Sequence, residues 1–158
     1  MSDNYDSDLM LDDEKPDLSS AEDLHLVFRI EDEDYAINVA EVADILQYSK
    51  LRRVPSTPDF LRGILNVRGD IIPVICVRRK FLKPVKEIDF ETCIVKVQHA
   101  EYLLGLIVDK VIGVEDIKPE HIKSPPNAKL SYANQFIKNI GVVDDKVRMI
   151  LCLEKLIF

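Results

Sequence analysis

A mainly β protein made of two small five-stranded barrels with short helices, preceded by a disordered acidic arm, is the fold this sequence predicts. The first observation behind this is an internal repeat. Phe60-Leu-Arg-Gly-Ile-Leu-Asn-Val-Arg-Gly-Asp-Ile-Ile-Pro-Val-Ile-Cys76 lies over Phe136-Ile-Lys-Asn-Ile-Gly-Val-Val-Asp-Asp-Lys-Val-Arg-Met-Ile-Leu-Cys152 at constant offset, and Phe28–Tyr35 lies over Val95–Tyr102 without a gap. The second is period-two alternation of apolar residues in short runs, separated by turn residues. The third is charge: residues 1–23 hold nine acidic side chains against Lys15, and the other 135 residues hold 20 basic and 19 acidic ones. The arm therefore carries more than the whole of the net charge of −7, and the body is slightly basic. It has too little apolar surface to offset the entropy of ordering.

The elements follow in order. Leu24, Leu26, Phe28 and Ile30 alternate with His25, Val27 and Arg29; the polar tip Glu31-Asp-Glu-Asp34 and the apolar stretch Tyr35–Val39 complete a hairpin. Asn38, with Glu41 three residues on, predicts a capped short helix with Val42, Ile45 and Leu46 on one face. Val54-Pro-Ser-Thr-Pro58 is a connector. Phe60–Leu65 and Ile71–Val77 are strands joined through Asn66-Val-Arg-Gly-Asp70, where Gly69 supplies the positive φ of a tight turn and Gly63 is a further turn glycine. Pro73 marks an edge or bulge because it has no ladder donor.

After the connector Lys80–Lys86 the cycle repeats. Cys93–Gln98 and Tyr102–Val108 form a hairpin, and Lys110–Ile117 a strand. Pro119–Lys129 is an extended loop, Phe136–Val143 and Val147–Leu153 are strands, and a short helix lies near Glu154–Ile157. The first module spans about residues 24–86 and the second about 87–158, each with about five short strands at SH3-like spacing.

Several function classes have no residues to stand on. The chain has no phosphate-binding glycine loop, HExxH, G-x-S-x-G or calcium loop, so no catalytic residues, cofactor or metal are expected. Cys76, Cys93 and Cys152 sit in apolar runs as small core side chains, and His25, His99 and His121 lack ligand spacing. The near-neutral body lacks the basic stripe that nucleic acid requires. No eighteen-residue apolar run spans a membrane, and the acidic start does not read as a secretory signal, so a cytoplasmic protein is expected. Two joined barrels leave a groove between them, which makes binding the expected activity.

The succession Leu26-Val-Phe-Arg-Ile-x4-Tyr35-Ala-Ile-x-Val39-x2-Val42-x2-Ile45, then Val54-Pro-x-Thr-Pro-x-Phe60-Leu-x-Gly63-Ile-Leu-Asn66-Val-Arg68-Gly69-x-Ile-Ile-Pro73-Val-Ile, then Leu104-Gly-Leu-Ile-Val-Asp109, closely resembles the CheW-type chemotaxis coupling proteins. The likeness covers Leu24–Phe158. It implies two intertwined SH3-like barrels and an adaptor without catalytic activity. That adaptor would join the cytoplasmic tip of methyl-accepting chemoreceptors to the regulatory domain of the histidine kinase CheA, recruited to receptor arrays at the membrane. The same adaptor serving a kinase array for pili or gliding is the alternative. A monomer is expected in isolation.

The resemblance puts Val42, Asp44, Arg68 and Cys93 on the receptor-facing side. The family usually has Glu at position 44, Leu at 67 and Asp at 76, so Cys76 removes a charge at a strand end. Asp44 is expected to pair with the planar fork of Arg68 and order a groove for a receptor helix. CheA contact is expected through exposed strand edges, helped by the loop containing Lys123, Pro125 and Pro126.

Overall fold

The computed structural model describes residues 21–125 and 132–157. Residues 1–20 of the acidic arm, together with Pro126, lie outside this range. The expected arm boundary at residue 23 moves, however, because Ala21–Asp23 form a 3-10 turn. The Asn38 side chain donates to the Glu22 carbonyl at 2.9 Å and the Ile117 N–H to the Asp23 carbonyl at 2.9 Å.

Eleven strands, β1 (Leu24–Ile30), β2 (Glu33–Asn38), β3 (Val42–Gln47), β4 (Leu61–Val67), β5 (Asp70–Cys76), β6 (Cys93–His99), β7 (Tyr102–Val108), β8 (Lys110–Asp116), β9 (Ile122–Lys123), β10 (Ile137–Val143) and β11 (Lys146–Leu151), make two sheets. Their orders are β8-β1-β2-β11-β10-β9 and β3-β6-β7-β5-β4. The first hairpin of the chain therefore sits in the sheet of the second half, and the β6–β7 hairpin sits in that of the first. Each exchanged hairpin joins its host by a parallel pairing, β11 with β2 and β5 with β7. This is the intertwined pair of SH3-like barrels. No helix among the described residues is long and apolar enough to cross a membrane.

The repeat is visible in the geometry. Strands β4–β5 and β10–β11 carry bulges at matching positions, between Leu61 and Gly63 and between Ile137 and Asn139. The Cys76 N–H donates to the Phe60 carbonyl, and the Cys152 N–H to the Phe136 carbonyl, both at 2.8 Å. Each β-hairpin then leads into a short helix, α1 (Val77–Lys80) and α2 (Leu153–Ile157). Helix α1 lies where a strand end and a Lys-rich connector were expected.

Three apolar clusters hold the fold, and alternation along the strands assigns each to a face. Leu46, Ile72, Val74, Ile94 and Ile107 fill the interior of the first barrel. Val27, Ala36, Ile117 and Ile150 fill the second. The largest cluster lies between the barrels, where Leu26, Phe28 and Ile30 of β1 meet Leu104, Leu106 and Val108 of β7. An aromatic row runs through it, Phe28 to Tyr35 to Phe81 to Phe136, with ring centroids 6.3, 5.3 and 5.3 Å apart. The main core belongs to both sheets, and each smaller cluster draws residues from both halves of the sequence, so neither half of the chain supplies a core by itself.

Three local expectations change. The helix expected after Asn38 is a three-residue 3-10 turn, Val39–Glu41, followed directly by strand β3. Asn38 does cap it, accepting from the Ala40 N–H at 2.9 Å, but the backbone turns extended at Val42 because there it enters the ladder with Val97 of β6. Gly63 is a mid-strand bulge rather than a turn. Its φ is +147°, and a Cβ there would lie 2.5 Å from the Arg52 carbonyl oxygen. The loop after Pro119 contains a 3-10 turn, Pro119–His121, and strand β9, which gives the second sheet its sixth strand. Pro73 conforms to expectation: the β5–β7 pairing begins at Val74, so Pro73 lies one residue outside it, facing only β4.

Candidate functional site

Strands β3 and β4 are the outer strands of the five-stranded sheet, and the site lies where its curl brings them together. The segment after β3 bonds back to β4, with Arg52 N–H donating to the Ile64 carbonyl at 3.0 Å and Ile64 N–H to the Arg52 carbonyl at 2.8 Å. Farther along the seam, the two-residue turn Arg68-Gly69, with φ of +50° and +90°, swings Arg68 toward β3. Asn66 steadies the turn by accepting from the Gly69 N–H at 3.1 Å. Arg68 Nη1 donates to Asp44 Oδ2 at 2.6 Å, with the arginine side chain 76 % exposed and the aspartate 23 %.

Sequence reasoning missed the second half of this cluster. Lys96, cross-strand to Asp44, is only 8 % exposed and reaches Asp70 at 3.7 Å. Its signal was the lysine interrupting Ile94-Val95-Lys96-Val97. Two acids and two bases therefore alternate across the seam, from β3 through β6 to the β4–β5 turn.

Arg68 and the Ile45 N–H hold the Asp44 carboxyl below the usual carboxylate range. A native value that is depressed means that the contact is complete above the ordinary carboxylate range and is lost as pH falls through the depressed value. Carboxyl-carbon NMR titration is expected to show Asp44 titrating low in the native protein and moving back up in Arg68→Ala. An Asp44 titration unaltered by Arg68→Ala would sever the two residues.

The other two residues expected on the receptor side lie elsewhere. A bulge at Ala43 turns Val42 and Asp44 to opposite faces of the sheet, although they are two residues apart. Val42 pairs with Val97 and packs against the main core. Cys93 packs there too, but opposite Gln47 at the far end of the strand pair. Burial pushes the Cys93 thiol up, so it stays protonated at neutral pH and is no activated nucleophile. Lys123, the residue assigned to kinase contact, lies on the edge strand β9, opposite Ile140. Gly69 is the turn residue expected, and Gly63 keeps the seam closed.

An apolar groove crosses the junction of the two halves. Pro58, Phe60, Leu61 and Pro73 line it from the first half, and Tyr102, Leu103 and Ile157 from the second. Phe60 was legible as a repeat position; Tyr102 and Leu103 read only as hairpin residues. Lys80 of α1 stands beside this groove, its ammonium 4.0 Å from the Phe60 ring centroid and 5.7 Å from that of Phe136, the repeat partner of Phe60.

A double SH3-like barrel whose surface chemistry is a closed seam of paired charges and an apolar junction groove defines a binding module. The family model for the CheW-like domain matches residues 24–157, and the chain belongs to that family. It is 29% identical over 132 residues to the chemotaxis protein CheW of Klebsiella aerogenes, covering 84% of this chain and 80% of that one. It is 31% identical over 130 residues to chemotaxis protein CheW of Helicobacter pylori, covering 82% and 78%. Protein FrzA of Myxococcus xanthus is 28% identical over 99 residues, covering 63% and 62%. The crystal structure of the scaffolding protein TtCheW from Thermoanaerobacter tengcongensis superposes with a TM-score of 0.77 at 30% identity, covering 82% of this chain and 88% of that one.

Proposed function

We propose that this protein is a non-enzymatic adaptor that couples methyl-accepting chemoreceptors to the histidine kinase CheA. The observation that carries the reading is the family match over nearly the whole described body, combined with the Asp44–Arg68 pair on an exposed seam. Arg68 is three-quarters exposed and spends one guanidinium edge on Asp44, which leaves further donors for a receptor carboxylate. The junction groove suits the apolar stripe of a receptor helical hairpin. Val42 and Cys93, facing the main core, support that surface from within rather than by direct contact. Kinase contact is assigned to open strand edges. Strands β3 and β4 are closed across the seam, so β8 and β9 are the edges that remain, with Lys123 on the latter. The protein works as a cytoplasmic monomer recruited to receptor arrays.

The test is autophosphorylation of the cognate kinase with receptor-bearing membranes, with and without the protein. Activation is expected to require it and to fall roughly tenfold with Arg68→Ala, as removal of a single charge-assisted hydrogen bond to the receptor would give. No activation with a kinase and receptor known to work together would defeat the coupling reading. Proline at Val114 on β8 or at Lys123 on β9 is expected to weaken kinase binding; unchanged binding at both would remove the edge-pairing model. A second reading, the same adaptor in an array controlling pili or gliding, draws support from the likeness to FrzA, since the family is not confined to proteins named for chemotaxis.

A further inference from the structure

The cations around α1 are paired with one exception. Arg78 bonds Asp109, Arg79 bonds Asp59, Lys83 reaches Glu31 and Glu33, and Lys86 bonds Asp89. Lys80 has no carboxylate partner among the described residues; its ammonium rests on the Phe60 and Phe136 rings. Partial burial lowers its pKa, so a carboxylate arriving there would gain a cation already part-stripped of water. Phe60 is also a wall of the junction groove. The surface thus offers an apolar slot with an unmatched positive charge on its rim, and its best occupant is an apolar segment flanked by acids.

This chain carries such a segment. Residues 1–20 hold seven acids, Asp3, Asp6, Asp8, Asp12, Asp13, Glu14 and Asp17, against Lys15. Within them Leu9-Met10-Leu11 is bracketed by Asp8 and by Asp12-Asp13-Glu14. The arm also joins the body at the correct end. Glu22 is bonded to Asn38, the turn after Asn38 ends at Glu41, Glu41 lies 3.5 Å from His99, and His99 pairs with Tyr102 of the groove. The ten residues from Leu11 to Ala21 can span up to about 33 Å when extended.

We propose that Leu9, Met10 and Leu11 of the same molecule occupy the junction groove, with the carboxylates that follow them facing Lys80. Resting on the reading of the groove as the receptor surface, the arm then competes with the receptor helix. A tethered segment acts at an effective concentration in the millimolar range, so even a weak contact fills the groove for much of the time. Apparent receptor affinity scales with the fraction of molecules whose groove is empty, which lowers it on the order of threefold to tenfold.

The experiment compares amide NMR spectra of the full chain and its Leu9→Ser/Met10→Ser/Leu11→Ser variant, which leaves the folded body untouched. Shifts at Leu61, Leu103 and Ile157 are expected, and the same groove resonances are expected to move in Asp12→Asn/Asp13→Asn/Glu14→Gln. Groove resonances that stay put, or shifts confined to another face, overturn the proposal. Shifts that vanish on dilution make the occupant the arm of a second copy and overturn the intramolecular form. The serine variant is also expected to bind receptor-bearing membranes threefold to tenfold more tightly. Groove shifts without that gain would establish the docking and reject the groove as the receptor surface.

Discussion

Arg78→Ala is expected to destabilise the protein by about 3–5 kcal/mol, the usual cost of removing one partner from a buried ion pair. Arg78 and Asp109 are only 12 % and 13 % exposed, and Nε and Nη2 of the arginine contact both carboxylate oxygens at 2.7 to 3.1 Å. Nη1 donates to the Pro84 carbonyl at 2.7 Å, so the fork also holds the connector between the two halves. Asp109 in turn accepts from the Glu31 N–H at 2.8 Å, at the tip of the β1–β2 hairpin. The truncated protein would keep a buried carboxylate with one backbone donor left. Urea unfolding measures the loss. An apolar double replacement, Arg78→Met with Asp109→Leu, is expected to recover part of it, because no charge is then stranded. A loss below about 1 kcal/mol, the range of exposed pairs, would show that water reaches the carboxylate freely.

Gly63→Ala is the second large effect, at about 2–4 kcal/mol, combining a strained backbone with a steric collision. The added Cβ meets the Arg52 carbonyl oxygen and also the Leu51 Cβ at 3.0 Å, and both neighbours belong to the segment that closes the seam. Relief requires that segment to withdraw from β4, which breaks the two Arg52–Ile64 hydrogen bonds. Calorimetry is expected to give a melting temperature lowered by roughly 6–15 °C for a body of this size. Hydrogen exchange at Arg52 and Ile64 is expected to accelerate first. Undiminished protection there would mean that the seam does not depend on the bulge.

Much of the architecture was legible because the repeat and the period-two alternation are local signals. The matching Phe60 and Phe136 carbonyl contacts follow from residues that align without a gap. What was not legible depends on pairing between distant strands. Asn38 reads as a helix cap whether the helix runs three residues or ten; only β6 lying beside Val42 decides that the chain extends. The Asp44–Arg68 pair was foreseeable from complementary chemistry and the family motif. The bulge at Ala43 that separates Val42 from Asp44 was not, since one inserted residue inverts a face without altering the composition. Lys96 stayed hidden for the same reason: its partner Asp70 is set by the curl of a five-stranded sheet.

The exchange of hairpins between the two sheets has a consequence for how the molecule is born. The five-stranded sheet cannot be assembled until β7 ends at Val108, and the parallel partner of β2 arrives only with β11, ending at Leu151. At ribosomal rates of about 5–20 residues per second, the β2 edge of the first hairpin waits roughly 6–23 s for β11, although β1 gains its own neighbour β8 sooner. During that interval Leu26, Phe28, Tyr35 and Ile37, all fully buried in the finished protein, can meet Phe81 and the apolar face of β7 but not Phe136, Leu151, Leu153 or Leu156, which close the same cluster. Nascent chains of this protein therefore keep an open β2 edge until late in translation, and a stall between β8 and β11 would release a chain without the strand that this edge pairs with.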